Sequence, residues 1–261
     1  MHRIGVFDSG IGGLTVLRQL RRAFPQLDMV YLGDTARVPY GGRSVETITH
    51  YAEDDVRFLL RKDVEAIVIA CGTVSSNSLD ALREKFDLPI YGVIESAARL
   101  AVSMTKTRSV GVIGTQATVK SGAYETHIRA IDPGVHVVSR ACPLFVPLVE
   151  NGIAPDDIVA ETVCSRYMEA FDGKNIDALI MGCTHYPVYR PALEKRLPGV
   201  RMIDVGEALA EALRPLFAES GGTGAVEYYV TERSAAFDEI VRVMDPSLDP
   251  AAIRVENAFI Q

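Results

Sequence analysis

The chain has 261 residues, 48% of them apolar, and a formal net charge of −7 at neutral pH. This composition can bury a sizeable core as one large or two moderate domains, which excludes a disordered chain. Basic residues form only local pairs such as Arg21-Arg22, so we expect no nucleic-acid footprint. No apolar run approaches the roughly 20 residues of a membrane span, so we expect no membrane contact.

The N-terminal residues and the cysteines indicate the compartment. Met1-His2-Arg3 leads directly into a strand-like run at residues 4–7, which leaves no room for a signal peptide, and we expect a cytoplasmic protein. The chain has four cysteines, Cys71, Cys142, Cys164 and Cys183. None has Cys-x-x-Cys or metal-ligand spacing, and a reducing compartment disfavours disulfides, so we expect free thiols and no metal site.

In chain order, the apolar pattern alternates between strand and helix. Short apolar runs predict strands at residues 3–8, 29–32, 67–71, 109–113, 135–138 and 179–183. Apolar residues three and four apart predict helices at residues 14–24, 45–62, 96–105, 116–131, 156–171 and 208–218. Glycines and a proline predict a loop at residues 33–42, and residues 227–255 are expected to return to the first half. Such alternation predicts an α/β architecture with parallel sheets.

Two of the cysteines occupy equivalent positions in an internal repeat. In residues 67–74 and 179–187, an apolar run delivers Cys71 or Cys183 to a turn with a threonine close behind. Parallel sheets place ligand chemistry at the carboxyl ends of their strands. The tracts after both cysteines also match within a residue or two, which indicates a duplication. Two facing halves would place one thiol on each side of a shared cleft.

We therefore predict two similar doubly wound α/β domains related by pseudo-twofold symmetry, with the active site in the cleft between them. Residues 1–96 and 209–261 are expected to form the first domain, which carries Cys71. Residues 97–208 are expected to form the second domain, which carries Cys183.

The glycine-rich segment after the first strand has several interpretations. Residues 8–13 lack the Gly-Lys-Ser/Thr ending of a P-loop and do not fit Gly-x-Gly-x-x-Gly, so a nucleotide site is disfavoured. Asp8 ends the predicted strand, and with the backbone N–H groups at the start of the following helix it could meet both a cation and a carboxylate. Alternatively, Asp8 could simply cap that helix.

A single free cysteine usually behaves as a small buried hydrophobe, and we expect this of Cys142 and Cys164. For Cys71 and Cys183, symmetry favours a chemical role. A thiol serves as a base only when it is deprotonated, so a nearby proton acceptor or charge is needed. The candidates are Asp8, Glu150 and His185, although Glu150 could be an ordinary exposed glutamate and His185 a structural histidine.

Five segments together resemble the cofactor-independent glutamate racemases, over nearly the whole chain. They are Asp8-Ser-Gly-Ile-Gly-Gly-Leu-Thr-Val16, Gly33-Asp-Thr-Ala-Arg-Val-Pro-Tyr-Gly41, Ile69-Ala-Cys71, Pro143-Leu-Phe-Val-Pro-Leu-Val-Glu150 and Gly182-Cys-Thr-His185. The second segment separates this group from the related aspartate racemases, which share the two cysteines.

The resemblance implies that one thiolate removes the α-proton of glutamate while the opposite thiol protonates the other face, without pyridoxal phosphate or metal. Cys183 would deprotonate L-glutamate, and Cys71 would deprotonate D-glutamate. Asp8 would assist Cys71, and Glu150 and His185 would assist Cys183. The product, D-glutamate, would feed peptidoglycan synthesis, and a homodimer is one expected assembly.

The resemblance also implies which residues hold the amino acid: Asp8, Ser9, Pro39, Tyr40, Gly41, Gly72, Thr73, Thr184 and His185. One of them departs from the pattern, because the family usually has asparagine where this chain has Gly72. We expect a lower affinity for glutamate than in a relative with asparagine at this position, if the space beside Gly72 is empty.

Two other functions stay open from the sequence. A sister activity on aspartate, a hydantoin or another carbon acid would keep both thiols and change only the side-chain pocket. A non-catalytic amino-acid or phosphate-binding module would need the loops without two matched thiols.

Overall fold

A computed structural model of the chain describes residues 1–256, which form ten strands and twelve α-helices. The strands are β1 (Arg3–Asp8), β2 (Asp28–Gly33), β3 (Ala66–Ile69), β4 (Ile90–Gly92), β5 (Ser109–Gly114), β6 (His136–Ala141), β7 (Ala178–Met181), β8 (Arg201–Asp204), β9 (Val226–Val230) and β10 (Ile253–Val255). The predicted domain end at residue 261 lies outside the described residues.

The helices are α1 (Leu14–Ala23), α2 (Val45–Leu60), α3 (Gly72–Asn77), α4 (Leu79–Lys85), α5 (Val93–Met104), α6 (Gln116–Ser121), α7 (Ala123–Ile131), α8 (Phe145–Glu150), α9 (Ile158–Met168), α10 (Arg190–Arg196), α11 (Val205–Phe217) and α12 (Phe237–Met244). Short 3₁₀ segments follow at Glu169–Phe171, Tyr186–Tyr189 and Pro250–Ala252. Within residues 1–256, every helix is too short or too polar to cross a membrane.

The strands form two parallel sheets with a shared topology. The first sheet has the order β10-β9-β2-β1-β3-β4, and the second has the order β6-β5-β7-β8. In both, the first strand of the repeat lies between the second and the third, with the fourth at the edge. The predicted α/β architecture of two similar parallel-sheet domains is therefore confirmed, and β3 and β7, which precede the two cysteines, are equivalent strands.

Two long helices join the halves. α5 leads from the first sheet to the second, α11 leads back, and the two helices pack against each other. One hydrophobic cluster contains residues of both sheets, such as Val6 and Val112. The predicted domain boundaries after residues 96 and 208 fall inside these helices, and they remain a prediction.

The prediction of one helix over residues 116–131 is wrong. The segment forms α6 and α7, with Gly122 between them at φ +67°, a left-handed conformation that ends α6. Other helices keep their predicted positions with shifted ends, since α5 and α11 each begin three residues earlier than expected. Spacing of apolar residues locates a helix better than it locates its ends.

The end of β2 lies against the turn that follows β1. A Cβ atom added at Gly33 would lie 2.5 Å from the carbonyl oxygen of Gly10, so Gly33→Ala requires backbone movement. We expect this variant to lose about 1–3 kcal/mol of unfolding free energy, or about 2–4 °C of melting temperature per kcal/mol. Gly42→Ala is the control, because a Cβ there meets nothing within 4 Å. Equal melting temperatures for the two variants would contradict this close approach.

Candidate functional site

The two sheets present Cys71 and Cys183 at matching points. Cys71 lies between the end of β3 and the start of α3, and Cys183 lies between the end of β7 and a 3₁₀ turn. Both residues are buried, at 4% and 7% exposure, yet both line the same cavity. The duplication predicted from the sequence thus brings two thiols to one cavity.

This cavity has a volume of about 420 Å³, near the lower end of the range for small-molecule sites. Eleven of the twelve residues predicted for the site line it: Ser9, Pro39, Tyr40, Gly41, Cys71, Gly72, Thr73, Glu150, Cys183, Thr184 and His185. Asp8 is the exception, because it lies behind the wall with 1% exposure. Within residues 1–256, no group of three or more His, Cys, Asp and Glu side chains is arranged to hold a metal ion.

Cys71 is held as a thiol. Its Sγ donates a hydrogen bond to Ser9 Oγ at 3.3 Å. Burial and the nearby charge of Asp8 raise the pKa of Cys71 to about 12, although the Ser9 contact opposes the rise. At neutral pH this residue therefore carries a proton that it can deliver to a substrate.

Asp8 is a buried acid whose charge acts on Cys71. Burial raises the pKa of Asp8, against the opposing effects of the His185 charge and of hydrogen bonds from the backbone N–H groups of Gly13 and Gly10. The Gly10 N–H donates to Asp8 at 3.1 Å. Asp8 therefore supports the turn before α1, but it bonds Gly10 and Gly13, which precede the helix, and no side chain in the described part of the chain caps α1. Its raised pKa makes it a stronger proton acceptor than an exposed aspartate.

Cys183 has a different partner. His185 Nδ1 lies 3.9 Å from Cys183 Sγ, and His185 Nε2 lies 3.1 Å from Glu150 Oε1. Burial lowers the pKa of His185, but hydrogen bonds to Cys183 and Glu150 outweigh it and raise the pKa to about 10. At neutral pH His185 is thus an imidazolium that lies between Glu150 and Cys183. Glu150 is therefore paired with a buried histidine and is not a free surface glutamate.

The halves touch directly beside the thiols. A Cβ atom at Gly72 would lie 2.2 Å from the carbonyl oxygen of Gly182, and one at Gly12 would lie 2.5 Å from both Thr184 Oγ1 and the His185 ring. The hydroxyl oxygens of Thr73 and Thr115 are 2.9 Å apart across the same boundary. The space beside Gly72 is therefore occupied. The glycine does not leave an empty space that an asparagine side chain would fill.

Tyr40 lines the cavity, but its hydroxyl group is already engaged in a hydrogen bond within the protein. That group donates to Asp34 Oδ2, which also accepts from Arg37 Nε at 2.5 Å. Asp55 completes the network, with Oδ1 3.4 Å from Arg37 Nη2. Asp34, Asp55 and Tyr40 are at most 1% exposed. The network fixes the loop that carries Pro39, Tyr40 and Gly41, so Tyr40 contributes shape rather than a hydrogen bond.

The prediction of the site missed Asp55 and Thr115, although the sequence contains a signal for each. Asp55 is a charged residue on the apolar face of α2, and such a residue needs a buried partner. Thr115 follows the strand that mirrors β1, so it corresponds to Ser9 and lines the cavity with Gln116. Cys142 and Cys164 are buried in the core, as predicted, and neither lines the cavity.

Known proteins resemble this chain over most of its length. Residues 4–213 match the Asp/Glu/Hydantoin racemase family model. The chain is 46% identical over 242 residues to the glutamate racemase of Aquifex aeolicus (strain VF5), covering 93% of each chain.

Solved structures agree. The glutamate racemase of Thermus thermophilus, in complex with β-chloro-D-alanine, superposes with a TM-score of 0.85 at 45% identity, covering 98% of this chain and 96% of that one. The glutamate racemase of Francisella tularensis subsp. tularensis SCHU S4, in complex with D-glutamate, superposes with a TM-score of 0.90 at 34% identity, covering 99% and 98%. The family match, the relatives and the paired thiols agree, and the chain belongs to the Asp/Glu/Hydantoin racemase family.

Proposed function

We propose that this protein interconverts L-glutamate and D-glutamate by a cofactor-independent reaction in which Cys71 and Cys183 act on opposite faces of the α-carbon. The observation that carries the proposal is the pair of buried thiols at equivalent strand ends, each beside its own proton partner and both lining one cavity. Glutamate as substrate is supported by the relatives, which are glutamate racemases, one of them in complex with D-glutamate.

In the L-to-D direction, the Cys183 thiolate takes the α-proton and becomes a thiol, which leaves a planar carbanion. Cys71 then gives its proton to the opposite face and becomes a thiolate, so protons and charge balance. The imidazolium of His185 stabilises the thiolate of Cys183 before the transfer. In the reverse direction Cys71 must first lose its proton, and we assign Asp8 as its acceptor because the charge of Asp8 acts on the Cys71 thiol.

Substrate binding uses hydroxyl groups around the two thiols. Ser9, Thr73 and Thr184 line the cavity, and their hydroxyls can donate to the substrate carboxylate, where negative charge develops as the α-proton leaves. Pro39, Tyr40, Gly41 and Gly72 shape the remaining wall. Asp8 acts through Cys71 and does not touch the substrate in this scheme.

Other carbon acids are the main alternative, because both thiols would serve them equally well. A panel of amino acids and hydantoins, followed by chiral analysis, separates these activities. A binding module has less support, since it needs neither matched thiols nor the Glu150–His185 pair. We further propose a cytoplasmic enzyme whose D-glutamate supplies peptidoglycan synthesis, with a homodimer as its assembly.

The two thiols should be equally indispensable. Wild-type protein dialysed against chelator and carbonyl reagents should racemise L-glutamate, whereas Cys71→Ser and Cys183→Ser should each lose roughly 10²- to 10⁴-fold in kcat/KM. Because the two enantiomers have equal free energies, kcat/KM must fall equally in both directions. Cys164→Ser is the control, since Cys164 is buried away from the cavity. Full racemase activity in either active-site variant would refute the assignment.

The protonation of His185 should be visible in stability. The folded-state pKa of about 10 lies above the ordinary value of 6.5, so this proton stabilises the fold fully below pH 6.5. The stabilisation is lost as pH rises towards 10. The melting-temperature advantage of wild type over His185→Asn should shrink across that window, while His136→Asn, at an exposed histidine, should track wild type. A constant difference would mean that His185 is neutral.

Gly72→Asn tests the contact between the two turns. Because the new Cβ would meet the Gly182 carbonyl oxygen, the turns that carry the thiols must separate. We expect kcat to fall with little improvement in KM, because a geometry needed in the transition state is lost. A KM several-fold lower at unchanged kcat would instead show that the asparagine binds substrate and that the turns yield easily.

A further inference from the structure

A second cavity lies at the far end of α1. It also has a volume of about 420 Å³, and it shares no lining residue with the cavity of the two thiols. Three arginines of α1 line it, Arg18, Arg21 and Arg22, which are three and four residues apart and so lie on one helix face. Such a concentration of positive charge is unusual in a chain with a net charge of −7.

Only one of these arginines has an acidic partner within the described residues. Arg21 Nη1 lies 3.6 Å from Oδ2 of Asp245, which is 1% exposed and lines the same cavity. The other oxygen of Asp245 accepts from the backbone N–H and the hydroxyl of Ser247, at 3.1 and 2.7 Å. Asp245 Oδ2 itself accepts no hydrogen bond from any residue that the structure describes, so its pairing with Arg21 is electrostatic only.

Arg18 and Arg22 make no ion pair or hydrogen bond with any residue in the range 1–256. The Nε–H of Arg18 is buried and has no acceptor, which is destabilising for a donor removed from water. Within this range, the cavity therefore combines two arginines that have no acidic partner, one unsatisfied buried donor and one carboxylate oxygen, Asp245 Oδ2, that is held only by its ion pair with Arg21.

We propose that this cavity binds a small molecule through a phosphate group. A phosphate dianion matches two uncompensated positive charges, and its oxygens suit the planar N–H fork of arginine. The volume exceeds that of the phosphate group alone, so the ligand carries an organic portion, which contacts the apolar wall at Phe24 and Pro25. The proposal is independent of the racemase function, since the two cavities are separate.

Calorimetric titration with pyrophosphate, at fixed ionic strength set with sodium chloride, tests the site. We expect one pyrophosphate bound per chain in the wild type, and an affinity at least about tenfold weaker in the double variant Arg18→Gln/Arg22→Gln. The control Arg166→Gln/Arg201→Gln removes the same charge from exposed arginines outside the cavity and should bind like wild type. The single variant Arg22→Gln, at an exposed arginine, should show an intermediate affinity.

Three results would overturn the proposal. Equal weakening in both double variants would indicate an adventitious ion only, held by overall charge. Unchanged binding in Arg18→Gln/Arg22→Gln would place the ion elsewhere. A change of oligomeric state in that variant without ligand would assign the arginines to an interface between copies of the chain. Racemase activity of the ligand-free variant, which we expect to equal that of wild type, verifies that it is folded.

Discussion

The architecture depends on the direct contact of two strand-end turns, one from each sheet. The Gly72 turn packs against the Gly182 carbonyl, and Gly12 packs against Thr184 and His185, all at distances that leave no room for a Cβ atom. These glycines let the backbones of the halves meet, so the side chains of Cys71 and Cys183 reach a single cavity. A larger residue at such a contact would separate the thiols as well as disturb the packing.

Two similar strands carry the thiols, but their surroundings differ. Cys71 has Ser9 and the buried carboxyl of Asp8, and it is a thiol at neutral pH. Cys183 has the His185 imidazolium, which Glu150 holds from the other side. A reaction between enantiomers of equal free energy does not require equal catalysts on its two faces. It requires one group that starts as a thiolate and takes a proton, and another that starts as a thiol and gives one. The surroundings of Cys183 suit the first state, and those of Cys71 suit the second.

Much of this arrangement follows from local sequence. The equivalent positions of Cys71 and Cys183 are visible because strand, turn and helix repeat in register, and parallel strands align their carboxyl ends. The Asp34–Arg37–Tyr40 network was not predicted, because the motif shows which residues occur and not which atoms face inward. The occupied space beside Gly72 was also hidden, since it arises from contact between residues more than 100 positions apart. The left-handed Gly122 divides a segment that was predicted as one helix. The spacing of apolar residues alone does not indicate such a conformation.

The central claim, that two groups act on opposite faces, is tested most directly by racemisation of L-glutamate in D₂O at low conversion. The D-glutamate formed should carry deuterium at the α-carbon, because Cys71 exchanges its proton with solvent before it delivers one. The remaining L-glutamate should keep its original hydrogen, since Cys183 does not return a proton to the face from which it took one. Equal deuterium in both enantiomers from the earliest times would mean that one group serves both faces, and it would contradict the account.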